Sequence, residues 1–265
     1  MKAYFSKQNK ALLSELVRTD FKLRYQGSVL GYAWSLLKPL LMFAILYVVF
    51  VKFLRIGGDV PHYPIYLLLG IVLWNFFTEM TGQSLGSIVG RGDLIRKIKI
   101  PRWIIVVSAS VSALINLGLN LVVIAVFMIF NSVDLTWNLL LFPLNLLQIY
   151  ALALGVSFFL AAAFVKLRDI SNVWDVVTQA GFYITPILYP LSIISNELFQ
   201  KLLLLNPMAQ AIQDARYNVA TQETVTTWSL LGGWAAFIPI VLVMLTIALG
   251  AWYFRRESKT FAENL

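Results

Sequence analysis

The sequence predicts an all-α integral membrane protein. It has six transmembrane helices, an N-terminal interfacial amphipathic helix, a cytoplasmic docking helix, and short external helices between spans five and six. Three observations carry this. Of 265 residues, 59% are hydrophobic and 13% charged, about half the ~25% charged share of an ordinary soluble domain. Charge-poor stretches recur at lengths that meet the ~20 apolar residues a helix needs to cross ~30 Å of hydrocarbon. The basic residues between those stretches fall unevenly on the two sides.

The chain opens on an amphipathic pattern. Leu12, Leu13, Leu16, Val17, Phe21 and Tyr25 recur at spacings of three and four, with Lys10, Ser14, Arg18 and Lys22 opposite, as expected of a helix lying in the interface plane. The charges continue through Lys38 with no cleavage-site pattern, unlike a secretory signal. Six spans follow, at 29–51, 60–90, 103–133, 135–165, 176–196 and 224–254. The first carries only Lys38, and the second only Glu79 and the single His62. One domain, 1–265, results: an interfacial segment 1–28, a membrane domain 29–254 and a tail 255–265.

Of the 21 Lys and Arg, 17 lie in the N-terminal segment, in the loops around 91–102 and 166–168, and in the tail. The other four are Lys52, Arg55, Lys201 and Arg216. Basic flanks stay cytoplasmic, so both termini are expected inside. Within 91–102, Leu94, Ile95 and Ile98 are apolar at helical spacing among Arg96, Lys97 and other cations, until Pro101 ends the pattern. The positive-inside rule explains the cations but not the apolar residues, and a docking helix explains both.

Residues 191–223 are too apolar for a free external loop. Pro186, Pro190 and Pro207 place breaks at the outer end of span five and inside this segment. Short helices on or in the outer leaflet are expected, as an inert flap or as a lid.

Catalytic chemistry is scarce. With zero Cys and one His, Cys-based metal sites and His-rich sites lack ligands. No phosphate-binding loop of the G-x-x-x-x-G-K-[ST] form occurs, the nearest string being GSIVGRGD. The net charge of +8 comes without a polybasic tail, so no nucleic-acid partner is expected. Glu79 and Asp175 are the ionisable groups nearest membrane depth, where such groups are functional hypotheses by default. A proton-coupled carrier would need deeper acids, and an integral-membrane enzyme acting on lipid-linked sugars would need convergent acids, bases or metal ligands.

These residues carry a resemblance. DFKLRYQGSVLGYAWSLLKP (20–39), GDLIRKIKIPR (92–102), RDI (168–170), ITPILYP (184–190) and NPMAQAIQDAR (206–216) together resemble the landmarks of type 2 ABC exporter permeases, of the polysaccharide, O-antigen and teichoic-acid export family. Lys38 and Ile100 depart from the family's usual residues. The resemblance implies a homodimer working with two ABC ATPase subunits in the bacterial inner membrane. ATP and magnesium would be bound by the ATPase, with no cofactor in this chain. The implied cargo is a lipid-linked polysaccharide or polyol-phosphate polymer. The alternative within the class is export of a small lipid or drug.

On this basis Leu94, Ile95, Arg96, Lys97 and Ile98 are the expected ATPase-coupling residues. Arg18, Lys22, Arg24 and Lys38 are candidates to gather a lipid headgroup at the inner leaflet. Phe43, Tyr47 and Phe50, at i, i+4 and i+7 on one face of span one, together with Tyr183 and Tyr189, are candidate pore-lining aromatics.

Overall fold

The computed structural model describes residues 7–25, 28, 30–31, 33–55, 60–97 and 100–261, and within these every regular element is helical. The long helices are α1 (Lys7–Tyr25), α2 (Ala33–Tyr47, continued by a π-helical turn Val48–Phe53), α3 (Tyr63–Leu85), α5 (Trp103–Phe130), α6 (Phe142–Lys166), α7 (Ile170–Ile184) and α11 (Ile238–Glu257). The shorter ones are α4 (Gly92–Lys97), α8 (Glu197–Leu204), α9 (Pro207–Val219) and α10 (Thr227–Leu230). Among the described residues, five helical segments are long and apolar enough to cross a membrane: those built on α2, α3, α5, α6 and α11.

α3 is the axis of the bundle. In its most apolar stretch 78% of residues are buried, against 6% for α2 and 22% for α11. It is also the least hydropathic of the five, at 1.4 against 2.5 for α5. That inversion follows from the solvent. Lipid is as apolar as a core, so an outward helix face must be apolar, whereas polar groups are stable only inside, where they find partners. Thr81 and Ser84 of α3 are fully buried and bond back to the carbonyls of Phe77 and Met80 at 2.8 Å each. Trp174 of α7 reaches Thr81 Oγ1 at 3.2 Å.

α6 and α11 approach most closely where small residues face each other. A Cβ built on Gly155 would sit 2.7 Å from the backbone of Ile247, and one on Gly250 would collide with the carbonyl of Gly155. Backbone contact of this kind needs glycine on both helices. Gly250→Leu is therefore expected to push the helices apart and lower the detergent melting temperature by several degrees, while Gly82→Leu, at a position with nothing within 4 Å, leaves it unchanged.

Two differences from the sequence expectation concern residues 170–220. Where the fifth span was expected, at 176–196, the structure has the helix Ile170–Ile184, whose 15 residues leave it outside the five helices long enough to cross a membrane. It starts earlier, at the last residue of the RDI segment with Asp169 in the cap position, and it stops where Thr185 goes extended before Pro186 (φ −69°, ψ 134°). The segment after it is not a surface flap throughout. α8 leaves Leu198, Phe199 and Leu202 exposed, but nearly every residue of α9 is buried between α3 and α6. Asn206 caps α9 by accepting from Met208 N at 3.0 Å, with Pro207 at the first helical position, where its missing donor is harmless.

A second, smaller core lies at the end of the bundle where α5 begins and α11 ends. Ile88, Ile95, Ile105, Val106, Ala161, Val165, Phe254 and Phe261 meet there, with Leu16 of α1 packed against them. Asp20 of α1 pairs with Arg91, which also donates to Ser108 of α5 at 3.0 Å. α1, the loop after α3 and the end of α11 through Phe261 thus share one packed unit.

Candidate functional site

A cavity of about 600 Å³ opens between α2, α3 and α5, within the range of ligand sites. Its wall is unusually polar for a helix bundle, with Lys38 from α2, Asn75, Thr78, Glu79 and Gln83 from α3, and Asn116 and Asn120 from α5. The spacing explains the convergence, since Asn75, Thr78, Glu79 and Gln83 fall at successive intervals of three, one and four on one face of α3. Glu79 Oε1 accepts from the amide of Gln83 at 2.9 Å and from Asn116 Nδ2. Pro39 inside α2 cannot donate to the carbonyl of Ser35, four residues back. Asn120 Nδ2 does so instead at 3.3 Å, tying α5 to the broken turn of α2.

The sequence-predicted residues are distributed as follows. Lys38 is exposed and lines the cavity; Arg18 and Lys22 are exposed on α1 and do not line it. The side chain of Arg24 and the whole of Ile98 lie outside the described residues. In α4, Arg96 and Lys97 are exposed, Leu94 is half-buried, and Ile95 is 8% exposed, seated in the second core. Ile95 therefore anchors the helix from beneath rather than offering itself to a partner. A six-residue helix has two faces, and only the packing says which is down.

The aromatic face also turns inward. Phe43 is 8% exposed and meets Phe127 edge-on at 5.7 Å, with Tyr47 at 5.7 Å and Phe50 half-buried on the same core. The outward face of α2 is instead Leu41, Met42, Ile45 and Val48. Periodicity groups residues on one face correctly but, in a span apolar all round, does not choose the side. Tyr183 is 61% exposed, while Tyr189 is half-buried and donates to the carbonyl of Ile184 at 3.1 Å.

Sequence reasoning missed Arg216, counted above only as an external charge. It is fully buried. Its Nε donates to the carbonyl of Tyr66 at 2.9 Å, Nη1 to that of Pro186 at 2.5 Å and to Gln213 Oε1 at 3.1 Å, and Nη2 to that of Ile187 at 2.6 Å. The guanidinium lies 3.7 Å above the ring of Tyr66. Gly70 leaves room for Nη2, which a Cβ there would strike. Tyr63 Oη donates to the carbonyl of Leu188 at 2.6 Å. The carbonyls freed where prolines end α7 are thus answered by one arginine of α9 and one tyrosine of α3. The available signal was an arginine ten residues after Asn206-Pro207, in a segment otherwise too apolar to need one.

Residues 11–220 match the family described as ABC-2 type transporter. The chain is 30% identical to the O-antigen export system permease protein RfbA of Myxococcus xanthus, over 97% of this chain and 96% of that protein. It is 30% identical to the RfbA permease of Klebsiella pneumoniae over 76% and 77%, and 23% identical to the polysialic acid transport protein KpsM of Escherichia coli over 79% and 81%. With a family match over most of its length and a relative similar from end to end, the chain belongs to the ABC-2 type transporter membrane family.

Proposed function

We propose that the chain is the transmembrane subunit of an ABC exporter that moves a lipid-linked polysaccharide or polyol-phosphate polymer outward across the bacterial inner membrane. It works as a homodimer with two ABC ATPase subunits that bind and hydrolyse ATP. The observation that carries this is similarity along 97% of the chain to an O-antigen export permease.

Six crossings, with both termini cytoplasmic, fit the connectivity. Lys166 Nζ pairs with Glu257 at 2.5 Å, and Arg102 donates to the carbonyl of Ser258, so the end of α6, the start of α5 and the end of α11 share one end of the bundle. The Leu188 carbonyl bonded to Tyr63 lies at the opposite end of α3. Residues 170–184 therefore carry the chain between the two ends, although α7 has only 15 residues. That end, rich in Lys and Arg, is the cytoplasmic one.

In this role Leu94, Arg96 and Lys97 form the outer surface of the coupling helix, with Ile98 following, and the shared core beneath Ile95 transmits its movement to α1, α5 and α11. Lys38 and the polar cavity receive the head of the lipid-linked cargo, with Arg18, Lys22 and Arg24 gathering it at the inner leaflet. Tyr183 offers a stacking surface to sugar rings. A two-state path of this kind requires the ATPase to bind the two states differently.

Deleting the gene in its host should strip the surface polymer and leave it lipid-linked inside the cell, and the tagged chain should co-purify an ABC ATPase. Unchanged surface polymer in the deletion strain would refute the proposal. For the cavity, the double variant Glu79→Leu, Asn116→Leu removes donor and acceptor of one bond together, which limits the stability cost, and leaves half-buried Gln83 without its Glu79 acceptor. It is expected to cut export at least tenfold at normal abundance, and wild-type export would remove the cavity from the path.

A further inference from the structure

A second cavity, of about 720 Å³, opens at the cytoplasmic end, between the start of α5 and the ends of α6 and α11. Its floor is apolar, formed by Trp103, Phe158 and Phe254, and its rim carries Arg102, Arg255 and Lys259. Among the described residues no acid lines it, and the nearby Glu257 is engaged by Lys166. Arg102 is held in place by its bond to the carbonyl of Ser258. Phe158 lies two helical turns in from Lys166 on α6, so the floor reaches about 12 Å toward the hydrocarbon. The cavity is thus amphipathic along the membrane normal, with three cations at headgroup level above an aromatic slot at acyl-chain level.

We infer that this cavity is a binding site for an anionic phospholipid of the surrounding leaflet, separate from the cargo path. The headgroup phosphate sits among Arg102, Arg255 and Lys259, and one acyl chain lies along Trp103, Phe158 and Phe254. Charge complementarity selects the ligand. Three cations without an acid favour a net negative headgroup over a zwitterionic one, as in other basic pockets between transmembrane helices. Arginine adds charge-assisted bonds to phosphate oxygens. The apolar floor selects a lipid over a free anion. Because the walls come from α5 and α11, whose ends flank the coupling region, occupancy braces the helices that carry the second core.

The test uses the purified full-length chain in neutral detergent, titrated with phosphatidylglycerol or phosphatidylcholine of the same acyl chains and read by native mass spectrometry. Wild type is expected to retain one phosphatidylglycerol at least fivefold more tightly than phosphatidylcholine. Arg255→Gln with Lys259→Gln, both exposed at the rim, should abolish that preference without moving the melting temperature. Ala251→Trp, which fills the slot and leaves every charge in place, should weaken retention of both lipids at least fivefold. Equal retention of the two lipids by wild type, or an unchanged preference in the double variant, would overturn the assignment. Displacement of the lipid by millimolar inorganic phosphate alone would reduce the site to an anion site and overturn it as well.

Discussion

Arg216→Ala is expected to be the most damaging single substitution where α3, α9 and the turn after α7 meet. It removes donors to three backbone carbonyls, those of Tyr66, Pro186 and Ile187, in a place where water does not replace them. Each buried acceptor left unsatisfied costs about 1–3 kcal/mol. Relief of the guanidinium's own desolvation offsets part of this, so a net loss on the order of 3–5 kcal/mol follows. In detergent this should appear as a fall of roughly 10 °C in the unfolding midpoint, with reduced abundance in the membrane. Arg216→Lys should rescue little, because a single ammonium on a flexible stem does not reproduce a planar fork addressed to three acceptors. Gly70→Ala should give a milder version of the same defect, since its Cβ strikes Nη2 from the other side. A stable Arg216→Ala protein would mean that the turn at 185–190 is held by something else.

Leu94→Asp is expected to have the largest effect on export without affecting the fold. Leu94 is half-buried on a short helix whose anchoring is done by Ile95 beneath it. Introducing a carboxylate there should leave insertion and melting temperature within a few degrees of wild type. In an apolar groove of the ATPase it would bury an unpaired charge. Export should fall at least tenfold, with ATPase co-purification weakened in parallel. Ile95→Ala provides the contrast, losing about 2–4 kcal/mol of stability through the second core and lowering abundance as well as export. Wild-type export by Leu94→Asp would remove α4 from the ATPase contact.

Several features were legible in the chain. The long apolar runs became α2, α3, α5, α6 and α11 because a run of ~20 apolar residues has one stable fate, a helix in lipid. Pro186 and Pro207 marked the end of α7 and the start of α9, because proline's missing donor acts locally, whatever surrounds it. The amphipathic run at 10–25 became α1, its Leu16 packed and Arg18 and Lys22 outward.

Other features were beyond it. Glu79 and Asn116 are 37 residues apart, and Arg216 lies 150 residues from Tyr66. Spacing along one helix says nothing about such meetings.

The sequence by itself determined that this is a helical membrane protein and where most of its helices run, because those properties follow from local composition and from short-range backbone rules. The family was legible separately, through the resemblance of its landmark segments. Only the tertiary structure decided which faces are inside. Phe43 and Ile95 went inward, Leu94 and Tyr183 stayed accessible, and Arg216 was taken from the outer surface into the core. The physical reason is that in lipid an apolar side chain is nearly as stable facing outward as facing inward. Burial is therefore settled by where the few polar groups and glycines allow helices to meet.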